Sequence, residues 1–328
     1  MKKLIIVIPE GPLNLISVTG AYKSFVRADE LWQGFGNQPR FQVQVAGFPK
    51  EVKIDHGLFV VKPLPLSKIG KADLIIIPAI GSDYAGSVKK NQKLIAWISE
   101  QYVQGAEIAS ICVGAFLLAA TGIVDGRQCS THWMARDTFR AMFPKVDLKT
   151  DKLITDECGI YTNGGAMSFM NLMLYLIEKY YDRKTAILCS KVFQVDIDRN
   201  SQSPYTIFSG QKNHDDELVK EAQLYMEKHF DEKMSMDELA SNLAAGRRNF
   251  DRRFIKATGN TPMEYLQRTR IEAAKKNLEI SHKTISEIMY EVGYSDTKAF
   301  RETFKKITGL TPLEYKQKYN KEAMTAVW

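Results

Sequence analysis

The sequence predicts an α/β domain with a parallel sheet, followed by an all-helical domain. Up to about residue 193, short β-branched runs alternate with longer segments of helical periodicity, which is typical of a parallel sheet covered by helices on both faces. After about residue 214 no strand pattern remains, and helix-period segments follow one another. The chain has 328 residues, more than the ~250 at which single domains usually stop growing. Two domains are therefore expected.

The elements of the first domain follow one another as such a sheet requires. Leu74 to Ile77 are apolar at successive positions, as in strands that are buried on both faces. The patterns predict strands at 4–8, 41–46, 73–78 and 107–110, and helices at 21–32, 91–104, 133–142 and 168–180.

The domain boundary is predicted from a change in composition. Residues 201–213 are rich in Ser, Gln, Gly and Asn and have weak periodicity, as is usual for a connection between domains. We therefore expect a first domain over 1–200, a linker over 201–213 and a helical domain over 214–322.

Composition and length of the apolar runs exclude several classes of protein. Hydrophobic residues make up 45% of the chain and charged residues 25%, which are ordinary globular values. The apolar run 4–8 is shorter than the ~7 to 15 residues of a secretory signal, and the uncharged stretch 109–124 is shorter than the ~20 that span a bilayer. The short apolar runs therefore predict no membrane partner. Since the four cysteines also show no close pairing, we expect reduced thiols and a cytoplasmic location.

An internal repeat dominates the helical part. Residues 258–267 recur as 308–317 with seven of ten positions identical, and Phe250 and Phe254 recur as Phe300 and Phe304. Each half reads as a short helix, a tight turn, a second helix, a glycine stop and a third helix. A short helix that braces a second one is what a helix-turn-helix needs, and two copies could enter two grooves of DNA.

Local capping chemistry sets the predicted helix starts. Glycines 259 and 309 follow the second helix of each half, where a left-handed residue is wanted. Four capping boxes are predicted, in which a hydroxyl residue precedes a glutamate by three positions: Ser235 and Glu238, Thr261 and Glu264, Thr284 and Glu287, and Thr311 and Glu314.

The charge distribution favours a polyanionic partner. Residues 244–321 hold 17 Lys and Arg against 9 Asp and Glu, which accounts for the net charge of +7 of the whole chain. The alternative is a plain helical repeat with a solvated basic face. Phe250 and Phe254 predict a packed face on the first recognition helix, and five basic residues would then project outward: Arg247, Arg248, Arg252, Arg253 and Lys256.

Residues 244–319 resemble the DNA-binding domain of the AraC/XylS family of bacterial regulators. The likeness is greatest in Ile285-Ser286-Glu287-Ile288, Val292-Gly293-Tyr294 and Thr308-Gly309-Leu310-Thr311-Pro312. It implies seven helices, with a long helix at 262–278 that holds two recognition helices, near 247–258 and 297–308, in successive major grooves. The partners it implies are double-stranded promoter DNA, a second copy of the chain in a homodimer and, at some promoters, RNA polymerase.

The resemblance also implies which side chains contact DNA. Arg252 is the strongest candidate, because a guanidinium can engage guanine O6 and N7 bidentately. Asp251 and Glu302 could accept from cytosine N4 or form intramolecular ion pairs, and the sequence leaves both alternatives open. The predicted DNA-binding residues are Arg247, Arg248, Asp251, Arg252, Thr297, Lys298, Arg301 and Glu302.

A cysteine in the first domain lies where a buried strand turns into a helix. Residues 109–116 read Ala-Ser-Ile-Cys-Val-Gly-Ala-Phe, with small residues two positions before and after Cys112, as in a nucleophile elbow. The alternative is a buried cysteine that serves as a small apolar residue.

With residues 129–133, Cys-Ser-Thr-His-Trp, this segment resembles the PfpI-like domain of the class I glutamine amidotransferase-like superfamily. The resemblance covers about residues 1–193 and implies a flavodoxin-like sheet that acts as a sensor. We expect a pocket for an unknown small-molecule effector at the carboxyl ends of the strands. Its predicted residues are Gly81, Cys112, Val113, Gly114, His132, Asn163 and Gly164; a structural histidine and plain turn glycines are the alternative.

Catalysis is not expected. Cys112 and His132 are the candidate catalytic pair, but enzymatic relatives take an acid from the helix after the first strand, and residues 14–18 contain no carboxylate. Glu10 lies on the preceding loop. The sequence shows no metal-ligand spacing and predicts no cofactor. A cysteine hydrolase or isomerase with an attached DNA-binding domain, or a redox sensor at Cys112, remain the alternatives to a regulator.

Overall fold

The computed structural model describes residues 1–199 and 201–320. They form two compact units, Met1–Gln202 and a second that begins at Ser203. The strands of the first unit are β1 (Lys2–Ile8), β2 (Phe41–Gly47), β3 (Val52–Ile54), β4 (Phe59–Val61), β5 (Leu64–Pro65), β6 (Leu74–Ile77), β7 (Glu107–Ile111), β8 (Gln128–Cys129), β9 (Asp147–Leu148), β10 (Ile154–Glu157) and β11 (Ile160–Asn163). Its helices are α1 (Leu15–Gly34), α2 (Tyr84–Lys90), α3 (Gln92–Val103), α4 (Ala115–Ala119), α5 (Arg136–Met142), α6 (Phe169–Tyr180) and α7 (Arg183–Phe193).

The main sheet has seven strands in the order β10-β11-β7-β6-β1-β2-β5. All neighbours are parallel except β10 and β11, which form an antiparallel hairpin at one edge. Two small ribbons lie outside this sheet, β3 with β4 and β8 with β9. The predicted fold class is confirmed, and the edge hairpin makes the sheet mixed.

The side chains of the central strands alternate between two hydrophobic cores. Leu4 and Ile6 of β1 join the core that contains Phe25 of α1, whereas Ile5 and Val7 join the opposite core. A strand that is buried on both faces must be apolar at every position, which explains the continuous apolar runs of the sequence. The carboxyl ends of the strands are thereby fixed between two layers of helices.

The second unit is helical throughout its described part. Its helices are α8 (Glu217–Lys228), α9 (Met236–Asn242), α10 (Arg247–Thr258), α11 (Pro262–Ile280), α12 (Ile285–Glu291), α13 (Thr297–Thr308) and α14 (Pro312–Tyr319). The recognition helices α10 and α13 have the predicted bounds, and the connecting helix α11 continues two residues beyond the predicted 278. The last two residues of the domain predicted at 214–322 lie outside the described residues.

The sequence repeat is also a repeat of packing. Phe254 meets Tyr265 edge to face at 5.4 Å, and Phe304 meets Tyr315 in the same way at 5.5 Å. Each tyrosine hydroxyl donates to a glutamate at 2.6 Å, Glu227 in the first half and Glu279 in the second. Each half therefore has its own aromatic core, and its recognition helix is anchored from behind.

Three of the four predicted capping boxes are complete. The hydroxyl groups of Thr261, Thr284 and Thr311 each accept a hydrogen bond from the amide of the glutamate three residues later. The carboxylate of that glutamate accepts a hydrogen bond from the threonine amide in return. The fourth prediction was half correct: Ser235 accepts from the amide of Glu238 at 3.3 Å, but among the described residues Glu238 makes no return bond. A hydroxyl alone is sufficient to cap α9.

Part of the segment 203–213 packs on the helical unit. The amide of Phe208 donates to Glu272 of α11 at 3.1 Å, and Lys275 donates to the carbonyl of Thr206 at 2.6 Å. Further along, the side chain of Asn260 donates to Gln211 at 3.0 Å.

Candidate nucleic-acid interface and cysteine pocket

The first recognition helix presents basic side chains on the face opposite its core. Phe250 and Phe254 of α10 are fully buried, and Arg248 and Arg252 are exposed. Among the described residues Arg252 makes one hydrogen bond, to Asn249 on its own helix at 2.9 Å, which leaves most of its five N–H donors for an external acceptor. This face can therefore engage phosphate oxygens and base edges.

Arg247 and Asp251 are engaged with each other. Arg247 also reaches Asp237 of α9 at 3.1 Å, so one guanidinium holds the two helices of the first helix-turn-helix together. For Asp251, the structure has the intramolecular ion pair that was one of the two alternatives from the sequence.

The second recognition helix is built in the same way. Asp296 caps α13 by accepting from the amide of Ala299 at 2.6 Å. Phe300 and Phe304 are fully buried behind it. The four candidate residues on this helix are all exposed: Thr297, Lys298, Arg301 and Glu302.

Several basic residues of the helical unit have structural roles that the charge count could not reveal. Arg253 forms a two-point ion pair with Asp216, the cap of α8, at 2.9 and 2.6 Å. Arg270 donates to the carbonyls of residues 230 and 232, and Lys275, which is 4% exposed, pairs with Glu272 at 2.7 Å. The outward-facing basic residues are thus fewer than the count suggests, and Arg253 does not project freely as predicted.

Cys112 occupies a strained turn at the end of β7. Its φ is +54°, in the left-handed region that L-residues other than glycine rarely adopt. Gly114 follows, and a Cβ there would lie 2.5 Å from the carbonyl oxygen of Pro78, so only glycine fits. The elbow predicted from the small residues is therefore present, and such strain is typical of functional turns.

The Cys112 thiol is buried and protonated at neutral pH. It is 6% exposed, and burial raises its pKa to about 11, an effect that a hydrogen bond with the Val113 backbone opposes only in part. Tyr84, the first residue of α2, lies near this thiol, and burial together with Cys112 raises the pKa of its phenol. Sequence reasoning missed Tyr84, although its position shortly after a strand end was a usable signal.

His132 lies beside the elbow but does not pair with the thiol. The neighbouring Thr131 hydroxyl donates to the carbonyl of Cys112 at 3.0 Å, which brings this segment to the turn. His132 Nδ1 accepts from the amide of Met134, and burial lowers the pKa of its imidazole. Among the described residues no hydrogen bond joins Cys112 to His132, so a thiolate–imidazolium pair is not formed.

The predicted pocket glycines are held by neighbouring loops. The amide of Gly81 donates to the carbonyl of Pro12 at 2.8 Å, where the loops after β1 and β6 meet. Asn163 is fully buried and donates to the carbonyl of Gly164 at 2.9 Å. The space that a Gly164 side chain would need is filled by the carboxamide of Gln202.

The segment 14–18, where enzymatic relatives are expected to carry an acid, is held by hydrogen bonds of Asn14 and Ser17. Asn14 caps α1, and the buried Ser17 hydroxyl accepts from the amide of Ala79 at 3.1 Å. Glu10 is exposed, and its backbone is fixed by two hydrogen bonds with the Asn91 side chain. Glu10 lines a cavity of about 670 Å³ between the loop after β1 and the β3–β4 ribbon. Glu51 and His56 also line this cavity.

Neither a metal site nor a membrane span is found in the described part of the chain. No three His, Cys, Asp or Glu side chains there are grouped so that they could hold an ion. Likewise, no helix in 1–199 or 201–320 combines the length and the apolar character that crossing a bilayer requires. The four cysteines are unbridged, and only Cys158 is exposed.

Comparison with known proteins agrees with this architecture. Residues 5–179 match the DJ-1/PfpI family, and residues 239–318 match a helix-turn-helix domain. The chain belongs to the DJ-1/PfpI family, and it carries a helix-turn-helix domain of the AraC type after the α/β domain.

Individual relatives match large parts of the chain. The chain is 27% identical over 207 residues to the HTH-type transcriptional regulator GbdR of Pseudomonas aeruginosa, a match that covers 63% of this chain and 56% of GbdR. It is 24% identical over 250 residues to the regulator CdhR of the same species, covering 76% of this chain and 73% of CdhR. A crystal structure of an AraC family transcriptional regulator from Pseudomonas putida has the same fold over 59% of this chain and all of that one, with a TM-score of 0.50 and 18% identity.

Proposed function

We propose that this protein is a DNA-binding transcription regulator that responds to a small metabolite through its DJ-1/PfpI domain and acts as a homodimer. The observation that carries the proposal is the duplicated recognition helix. In both copies two buried phenylalanines anchor the helix from behind and exposed polar and basic side chains face outward. Sequence-specific binding to promoter DNA is the use that fits two such helices on one connecting helix.

The proposed base-reading residues are Arg248 and Arg252 on α10 and Thr297, Lys298 and Arg301 on α13. Arg247 and Asp251 are engaged with each other, so they support the position of α10 instead of contacting bases. Glu302 is exposed, and we assign it the recognition of a cytosine amino group.

The experiment starts from a pool of random double-stranded DNA, because the operator is not known. Repeated selection on the full-length protein, followed by anisotropy with the enriched duplex, should show a preferred site with two half-sites about one helical turn apart. Affinity for that site should fall steeply between 50 and 200 mM salt, as ~6 to 10 released counterions require. Failure to enrich any sequence, or binding that ignores salt, would refute the proposal.

A cysteine enzyme is the second candidate, and the strained backbone of Cys112 favours it. Three observations argue against turnover: the pKa of the thiol is raised, no hydrogen bond joins it to His132 among the described residues, and residues 14–18 contain no carboxylate. A hydrolase or isomerase activity lost in Cys112→Ser but kept in Cys158→Ser would reverse this ranking.

A further inference from the structure

The side chain of Gln202 is inserted into the first unit beside the cysteine elbow. Gln202 is the last residue of that unit and is 1% exposed. Its Nε2 lies 3.1 to 3.2 Å from four oxygen acceptors: Ser130 Oγ and the carbonyls of Thr131, Thr150 and Lys152.

The backbone of the same segment is attached to the unit. The amide of Gln202 and the hydroxyl of Ser201 both donate to the carbonyl of Asp151 at 3.0 Å. Ser201 also forms an antiparallel bridge with Lys152. The carboxamide therefore enters its cleft from a short strand-like tether at the point where the second unit begins.

The cleft is built for an –NH₂ group. A primary amide has two N–H donors, and four acceptors surround this one. Gly164 leaves the necessary space, because a Cβ there would overlap the carboxamide. Nearby, the Oδ1 atom of Asn163, a fully buried residue, has no hydrogen-bond partner among the described residues. Gln202 Oε1 likewise has no hydrogen-bond partner among the described residues, so the carboxamide is held through its –NH₂ group.

One residue, Thr131, links the Gln202 cleft to the cysteine elbow by hydrogen bonds. Thr131 accepts from Gln202 with its carbonyl and donates to the Cys112 carbonyl with its hydroxyl.

We propose that this cleft is a binding site for a primary carboxamide, that Gln202 occupies it as a tethered ligand, and that an external molecule with a primary amide end competes for it. Displacement of Gln202 releases residues 201 and 202 from Asp151. This last step rests on the proposed regulatory function, since it alters the start of the connection to the DNA-binding unit.

The test uses acetamide, which has the atoms that Gln202→Ala removes. In saturation-transfer NMR with the full-length protein, acetamide should bind Gln202→Ala saturably and wild type at least tenfold more weakly. N,N-dimethylacetamide, which has no N–H, should not bind. The matched control is Gln202→Ala with Gly164→Ala, in which a methyl group fills the cleft and acetamide binding is lost. Equal acetamide binding in all three proteins, or none in Gln202→Ala, would overturn the proposal.

A second variant keeps the test decisive if Gln202→Ala folds poorly. Gln202→Glu preserves the shape but places a carboxylate oxygen among four acceptors, and the repulsion should expel the side chain. Limited proteolysis should then cut within 203–213 several times faster than in wild type, and unchanged cleavage would contradict the tether. Neither readout involves DNA, so a protein that binds acetamide but no DNA would refute the regulatory function alone.

Discussion

Arg247 donates to both carboxylate oxygens of Asp251, at 3.0 and 2.9 Å, on the exposed face of the first recognition helix. The pair fixes the position of the Arg247 guanidinium on that helix. Because Nε of Arg247 is shared between the two oxygens of Asp251 and Nη1 reaches Asp237 of α9, we propose that Arg248 and Arg252 are the base-reading arginines of this helix. The contact thus distinguishes Arg247 and Asp251 from the proposed base-reading residues of α10.

Arg252→Ala should weaken binding to the selected operator by about 1 to 3 kcal/mol and relax the preference at one base pair, because a bidentate contact to guanine is lost. Fluorescence anisotropy with the operator and with each single-base variant measures both effects. Arg253→Ala is the matched control: it removes the pair with Asp216 and should lower stability without changing base preference. Equal loss of preference in both variants would show that the position of α10, and not contact, sets specificity.

Cys112 should react slowly with iodoacetamide at pH 7, since a pKa of about 11 leaves about one thiol in ten thousand ionised. The rate should rise about tenfold per pH unit up to the limit of the folded state. Peptide mapping of wild-type protein follows each cysteine separately, and the exposed Cys158 serves as the internal reference. Fast labelling of Cys112 at neutral pH would favour the enzyme or redox alternative.

The burial of this thiol also has a consequence for stability. Its folded pKa lies above the reference value of 9.0, so its contribution is complete below pH 9 and is lost as the pH rises through about 11. Compared with Cys112→Ala, the wild type should therefore lose more unfolding free energy over that range in urea titrations.

Ala244→Gly should stabilise the helical unit by about 0.5 to 1 kcal/mol, because Ala244 has a φ of +51° in the turn of the first helix-turn-helix. Glycine already occupies the matching turn of the second half, at Gly293. The reverse change, Gly293→Ala, would place a Cβ 2.6 Å from the carbonyl oxygen of Asp231 and should cost more than about 2 kcal/mol. Ala245→Gly, in the same turn without a positive φ, is the control and should not stabilise. Urea denaturation at pH 7 distinguishes these outcomes.

Thr261→Val should destabilise α11 by about 1 kcal/mol through loss of the capping hydroxyl. Hydrogen bonds from the backbone and hydroxyl of Thr261 hold the pKa of Glu264 below its usual 4.5. The stability that they contribute is thus present above about pH 4.5 and is lost as the pH falls below it. Wild type and Thr261→Val should approach each other in unfolding free energy between pH 5 and 3; a constant difference would show that Glu264 does not take part.

The sequence predicted the recognition helices and the capped helix starts almost to the residue, because their determinants are local. A hydroxyl cap, a glutamate three residues later and a terminal glycine act within one turn of a helix, and the duplication of residues 258–267 made the pattern unmistakable. The central strands were predicted equally well, since burial on both faces leaves a continuous apolar run. The short strands β3 to β5 and β8 to β11 were missed, because strands of two to four residues have too few positions to show a hydrophobic period.

The candidate sites were only partly accessible in this way. The sequence indicated the elbow at Cys112 and the exposed residues of α10 and α13, since each depends on neighbours within a few positions. By itself it determined two domains, a duplicated helix-turn-helix and a strained cysteine turn. Only the tertiary structure decided that Arg253 and Lys275 are structural, that the Cys112 thiol is protonated, and that Gln202 fills a cleft more than 30 residues away along the chain. The physical reason is that burial, pKa and the pairing of charges depend on residues distant in sequence, whose positions are set by the packing of the sheet and the helices.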